Sequence, residues 1–280
     1  MQYVRSVLIS LTAWAPFAFL SGCTPDATAP ATKPTAKSHD HGDHHGHAAE
    51  ASSSVLMAEV EPPKFQAGEP VTLKLMIHRP DGSMVSDFET VHEKKVHLII
   101  VREGLDEFAH IHPEIDQAGN MTVQFKFPVA GKYFLYADHK PAGEMQSTAV
   151  ATVDVAGDPP PPQMLRPNVP GTVKSENITA NVSVDSAQAD GETKIAFTLT
   201  HHEGKPITDL EPYLGAMGHL VVISADGKRY VHAHPLDADK ATRNAVEFEA
   251  YFPTVGLYKG WGQFQRAGEV QTLPFVIEVK

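Results

Sequence analysis

Two stretches of the chain repeat one spacing of histidines. VHLIIVREGLDEFAHIHP, Val96–Pro113, and GHLVVISADGKRYVHAHP, Gly218–Pro235, each follow one His with twelve other residues and then His-x-His-Pro. This gives His97, His110 and His112 in the first copy and His219, His232 and His234 in the second. Neutral imidazole is a ready ligand for zinc and copper, and the residues between set its geometry. HLVVIS and RYVHAH are β-rich runs on either side of Asp226-Gly227, the preferred centre of a two-residue type I′ turn, whose central positions both need φ > 0. Such a turn sets His219 opposite His234, with His232 one pleat step away on the same face. Gly104 occupies the corresponding turn in the first copy, where His97 faces His112. Opposed side chains in a sheet stand about 4.5–5.5 Å apart at Cβ, close enough for three ring nitrogens to meet one ion at about 2.0–2.1 Å.

His-x-His on a strand also describes two imidazoles on a half-exposed sheet face, bonded to neighbours or water, and duplication of one domain accounts for the repetition itself. What favours a metal site is that all three positions are His in both copies. Aligning Gly131-Lys132-Tyr133 with Gly256-Leu257-Tyr258 sets His139 against Phe264 and Met145 against Val270, so the two sites are not equivalent. The first offers His139 or Met145 as a further ligand; the second offers Met217, two residues before His219, and Gln263. Met is also an adaptable core filler. His78, His92, His201 and His202 have no counterpart in the other copy and read as surface residues.

Three imidazoles with an open position also describe catalytic zinc, which acidifies a bound water. That chemistry needs a general base, and neither copy fixes a carboxylate beside its triad, since Glu114 in the first corresponds to Leu236 in the second. GxSxG, HExxH and Gly-rich phosphate-loop patterns are missing from the sequence. The expectation is a non-enzyme, with a zinc hydrolase as the least favoured alternative.

The elements that position these residues are strands. In the first copy they are expected over Val55–Glu61, Val71–His78, Lys95–Val101, Glu107–His112, Met121–Phe127, Lys132–Asp138 and Thr148–Val155. The second series runs Ile178–Val184, Thr193–Thr200, His219–Ile223, Arg229–His234, Val246–Phe252, Tyr258–Gln263 and Val270–Val279. Seven short strands in about 100 residues suggest a two-sheet sandwich, and no segment sustains a helical period. The chain is therefore expected to be all-β, with two tandem immunoglobulin-like or cupredoxin-like β-sandwich domains at 55–156 and 172–280. Between them, residues 157–171 carry four successive prolines and read as a semi-rigid polyproline spacer.

Ahead of the domains, residues 1–22 read as an export signal, with Arg5 before an apolar run and Leu20-Ser21-Gly22-Cys23 resembling a lipobox. Lipidation at Cys23 would hold the protein to a membrane by acyl chains. Cys23 is the only cysteine, so any metal site must use imidazole, carboxylate or thioether. Residues 23–54 form a flexible tether by composition, and SHDHGDHHGH within it sets His39, His41, His44, His45 and His47 among Asp40 and Asp43. So dense a run of imidazoles captures late first-row metals without a fold. The net charge of −11 argues against nucleic acid, whose phosphates need clustered Lys and Arg. Asn177-Ile178-Thr179 and Asn181-Val182-Ser183 match the glycosylation sequon but read as plain strand sequence.

A His-led apolar strand, a short turn, His-x-His-Pro and then FPVAGKY, Phe127–Tyr133, or FPTVGLY, Phe252–Tyr258, resembles the YtkA-like group of bacterial extracytoplasmic immunoglobulin-like domains. YLGAMGHLVVIS, Tyr213–Ser224, is especially similar to it. The resemblance implies a β-sandwich outside the cytoplasm and a link to copper or other metal handling, with no catalytic activity to carry over. The expected protein is then a lipid-anchored envelope protein facing the periplasm or the exterior. It would bind copper, or zinc as the alternative, to capture, store or deliver it. A non-catalytic interaction module for an envelope protein partner is the competing expectation.

Overall fold

The computed structural model describes residues 54–236 and 244–280, all within one compact unit. The expected export signal over residues 1–22, Cys23 and the expected tether up to residue 53 lie outside the described residues. Each repeat folds into a sandwich. The first contains β1 (Val55–Glu61), β2 (Pro70–His78), β3 (Val96–Arg102), β4 (Phe108–Ile111), β5 (Glu114–Ile115), β6 (Met121–Lys126), β7 (Gly131–His139) and β8 (Ser147–Val155). The second contains β9 (Gly171–Lys174), β10 (Thr179–Asp185), β11 (Gly191–Thr200), β12 (His219–Ser224), β13 (Tyr230–Leu236), β14 (Ala245–Phe252), β15 (Gly256–Arg266) and β16 (Glu269–Val279). All fourteen expected strands are present within one to three residues at their ends; β5 and β9, of two and four residues, are additions.

Strand order is β4-β3-β7-β8-β1-β2-β6-β5 in the first repeat and β16-β15-β12-β13-β14-β11-β10-β9 in the second. Each series folds back on itself so that alternate side chains meet inside. Val71, Leu73, Leu75 and Ile77 of β2 face Val96, Leu98 and Ile100 of β3 in one core, and Ile195, Phe197 and Leu199 of β11 face Leu220 and Val222 of β12 in the other. The FPxxGxY motif builds a tyrosine corner in both. Tyr133 OH donates to Val129 O at 2.9 Å and Tyr258 OH to Thr254 O at 3.0 Å, each ring against the Phe that opens its motif.

Strands β3 and β12 are buried along their whole length, on both faces. One face belongs to its own sandwich; the other, with Ile99 and Val101 of β3 and Val221 and Ile223 of β12, joins a third apolar cluster with Leu105, Tyr136, Tyr230 and Trp261. The two repeats are thus packed sheet to sheet, and the contact is pseudo-symmetric. Tyr136 sits against Tyr230 at 5.7 Å while its counterpart Trp261 stacks on Phe108 at 4.6 Å. Tyr136 OH donates to the carbonyl of Gly227, and Lys259 Nζ donates to that of the equivalent loop residue, Leu105, at 2.6 Å. Each buried Leu, Ile or Val contributes about 1.5–3 kcal/mol, so this cluster is comparable in scale with a domain's net stability of about 5–15 kcal/mol.

The 157–171 segment is docked rather than spanning open solvent. Pro160 O accepts from Arg102 Nη1 at 3.3 Å, Leu165 packs on the interdomain cluster, and Asn168 exchanges backbone and side-chain bonds with Val276. The loop before β13 also departs from expectation. Gly227, not Asp226, has positive φ, +70°, and its N–H closes a turn onto Ser224 O at 2.8 Å, giving a longer loop than type I′. A Cβ at Gly227 would lie 2.6 Å from the Phe134 ring of the other sandwich, so contact as well as φ requires glycine. In the first copy the left-handed residue is Leu105, φ +54°, not Gly104. Register is nonetheless the expected one, with Ile99 opposite His110 and Val221 opposite His232.

Candidate metal centre

Pairing of Leu98 with Ile111 and Ile99 with His110 brings His97, His110 and His112 onto one face of the β3–β4 hairpin. Their ligating nitrogens all lie within 4.8 Å of one another. His97 Nδ1 is 3.0 Å from His110 Nε2 and 3.2 Å from His112 Nε2. The ring centres are 5.2, 5.0 and 5.0 Å apart. Three imidazoles bound tetrahedrally to one ion at about 2.0–2.1 Å would have ring centres about 5 Å apart. Pro113 then ends β4, because it lacks the N–H a ladder needs, and the chain crosses to the opposite sheet at β5.

The outer hydrogen bonds decide the tautomers. His97 Nε2 lies 2.9 Å from Val91 O, and a carbonyl only accepts, so the proton is on Nε2 and Nδ1 presents a lone pair. His110 Nδ1 donates to Gln263 Oε1 at 2.7 Å, leaving Nε2 as a lone pair. The 3.0 Å contact therefore brings together two lone pairs with no hydrogen between them. Burial disfavours a proton there, pushing His110 down to about 3 and His112 down to about 4. His112 Nε2, 3.2 Å from the same His97 Nδ1, completes the convergence of the three rings. Outer partners that fix ring orientation in this way are the usual second shell of a metal-ligating His.

The second copy repeats part of this pattern. His219 Nε2 donates to Tyr213 O at 2.7 Å, as His97 does to the equivalent Val91, and burial pushes His219 down to about 4. The backbone of His232 lies opposite Val221 and that of His234 opposite Glu249.

The other expected ligands lie elsewhere. His139 pairs with Val96, not His97, so it points into the first sandwich, where it packs on Phe88 at 6.0 Å and its Nδ1 donates to Ala137 O at 3.0 Å. Met145 is 87% exposed, and Met217 packs against the second core. None of the three joins the triad. Gln263 does approach, as the outer partner of His110 in the other sandwich. His92, expected on the surface, is half-buried, its ring 5.1 Å from that of His219 and 6.3 Å from that of His97. It reaches them from the Val91–Lys94 turn, and only the packing of one repeat on the other reveals this. Asp138, opposite His97 in β7, is a buried carboxylate, but it accepts two bonds from Gln146 and faces Tyr230.

Fold and centre together define a tandem, immunoglobulin-like all-β protein in which three imidazoles converge at the contact between its halves. The chain belongs to the family described as Domain of unknown function (DUF8832), whose model matches each half in turn, at residues 51–157 and 172–280. The YtkA-like resemblance rests on the motifs alone. No curated protein matches the chain. Among solved structures it is similar to FdeC, an Escherichia coli adhesin, at 14% identity and TM-score 0.27, covering 84% of this chain and 66% of that one. It is also similar to invasin, a bacterial integrin-binding protein, at 13% identity and TM-score 0.22, covering 79% and 39%. The chain spans less than two thirds of either structure, and likenesses of this strength carry no argument about function.

Proposed function

We propose that this chain is a metal-binding protein of the cell envelope, anchored through a lipid on Cys23, that captures a late first-row transition metal at His97, His110 and His112. One observation carries the reading: outer hydrogen bonds aim the lone pairs of His97 Nδ1 and His110 Nε2 at each other across 3.0 Å. An all-nitrogen donor set favours copper over zinc in the Irving–Williams order. The second copy keeps the backbone register of the first, so His219, His232 and His234 belong to the same reading. The tether histidines His39, His41, His44, His45 and His47 would capture metal ahead of the folded sites. The reading is of metal binding rather than catalysis: Asp138, the buried carboxylate opposite His97, is engaged by Gln146 and faces Tyr230.

The test is competitive titration of Cu(II), Cu(I) and Zn(II) into full-length protein whose five tether His are replaced by Asn. Replacing any one of His97, His110 or His112 by Ala should weaken the first site well over tenfold, about 1.4 kcal/mol per factor of ten. Affinities all weaker than millimolar, or unchanged in the triple variant, would remove this reading. They would leave an interaction module, which the exposed apolar patch of Val55, Met57 and Val150 along β1 and β8 favours.

A further inference from the structure

Among the described histidines, four ring pairs have centres 5.0–5.2 Å apart. Three make up the triad; the fourth is His92 with His219, at 5.1 Å and 88°, and it joins the two sandwiches. His92 and His219 share the ring spacing of the triad, in an edge-on contact between the two sandwiches. The remaining contacts of these two rings with His97 and His110 are longer, at 6.3–6.4 Å. His219 already directs its Nε2 proton to Tyr213 O, so Nδ1 is the lone pair it offers.

The backbone holding His92 is unusual. His92 and Glu93 both have positive φ, +48° and +64°, in a two-residue turn closed by reciprocal Val91–Lys94 hydrogen bonds. Asn-Gly or Asp-Gly is preferred in such a turn, and a left-handed non-glycine residue is strained. The equivalent turn in the second sandwich uses Leu214 and Gly215, φ +52° and +75°, and Glu93 packs over that Gly215. The two turns meet across the contact, and only the first presents an imidazole. The same Val91 whose carbonyl orients His97 begins the His92 turn, so one short segment serves both groups of rings.

We propose that His92 and His219 together hold a second late first-row metal ion across the domain contact, so that the first sandwich supplies a ligand to the second copy's site while Leu214 offers none in return. This rests on the metal reading above. An ion held there is bonded to both halves, so filling this site clamps the contact, whereas filling the triad leaves all its protein ligands in one sandwich. His92 is also half-exposed while His219 is buried, which makes it the ligand an incoming ion meets first.

The experiment uses the full-length, tether-substituted protein with Zn(II) as probe, and the variant His92→Leu, because Leu already occupies the equivalent left-handed position. Wild type should show two classes of Zn(II) site. His92→Leu should weaken one class more than about tenfold and leave the triad class unchanged. In wild type, the imidazole nitrogen resonances of His92 should move on saturation with Zn(II), which settles the matter even if the variant folds poorly. Unchanged binding in His92→Leu, with static His92 resonances, would overturn the second site and leave the triad intact. Loss of both classes in wild type would overturn the metal reading itself.

Discussion

Gln263 belongs to one sandwich and controls a ligand in the other, which makes it a sharp probe of the site. Its Oε1 accepts the Nδ1 proton of His110 at 2.7 Å, and both groups are shielded from water. Gln263→Leu keeps the volume and removes the acceptor. His110 Nδ1–H is then left unpaired, at a cost of about 1–3 kcal/mol, and the proton is free to move to Nε2, the atom that should face the metal. Loss of an outer partner costs about 10–100-fold in metal affinity, or about 1.4–2.7 kcal/mol. Gln263→Glu should act in the opposite direction, because a carboxylate holds the same tautomer and raises the basicity of the ligating nitrogen. Competitive Zn(II) titration of the tether-substituted chain measures both, with Trp261 fluorescence confirming that the domain contact persists. If the Leu variant binds within twofold of wild type while the contact is intact, Gln263 does not set the tautomer and the lone-pair argument fails.

Without metal, the buried rings make stability depend on pH. Burial pushes His110 to about 3 and His112 and His219 to about 4, below the unfolded value of about 6.5, so the unfolded chain binds more protons in between. Stability should be full above about pH 6.5 and fall toward pH 4, with unfolding near pH 5 taking up about three protons from these rings; a flat profile in urea denaturation with chelator present would contradict this. Leu105 combines a left-handed backbone with 1% exposure at the domain contact. Leu105→Ala should cost about 2–5 kcal/mol, and Leu105→Gly no more than that, reversing the usual order of Gly and Ala because glycine alone releases the backbone cost; a distinctly worse Gly variant would show that the φ carries no strain. Cys23→Ser should move the protein from the membrane fraction to the soluble one, and a variant that remains fully membrane-bound would identify another anchor.

Alternation and turn residues were sufficient to locate the strands, and the registry of the first His hairpin follows from counting residues between His97 and His112. The faces of other strands were less legible. Aligning the GKY and GLY landmarks brings His139 level with the triad, but strand parity turns it inward, because Val96 rather than His97 is its partner. The packing of one sandwich on the other left one trace, the unbroken apolar runs HLII and HLVVI, which signal strands buried on both faces. Nothing in the local sequence around His92 points to the site, and the landmark alignment that offers Gln263 assigns it to the second copy rather than to His110. Both reach it through contacts made only when the halves meet, and such contacts leave no periodicity within either segment.

The near two-fold relation between the halves has a further consequence. A free dimer built on this contact would be isologous, and every residue near its axis would occur twice with the same role. Joining the halves in one chain lifts that constraint. Asp138 and Gln263 occupy equivalent places, as do His92 and Leu214, and in each case the two sides carry different residues. Fusion therefore allows two versions of one binding surface, differing in charge and in donor number, to evolve separately while sharing a single apolar seam that neither can lose.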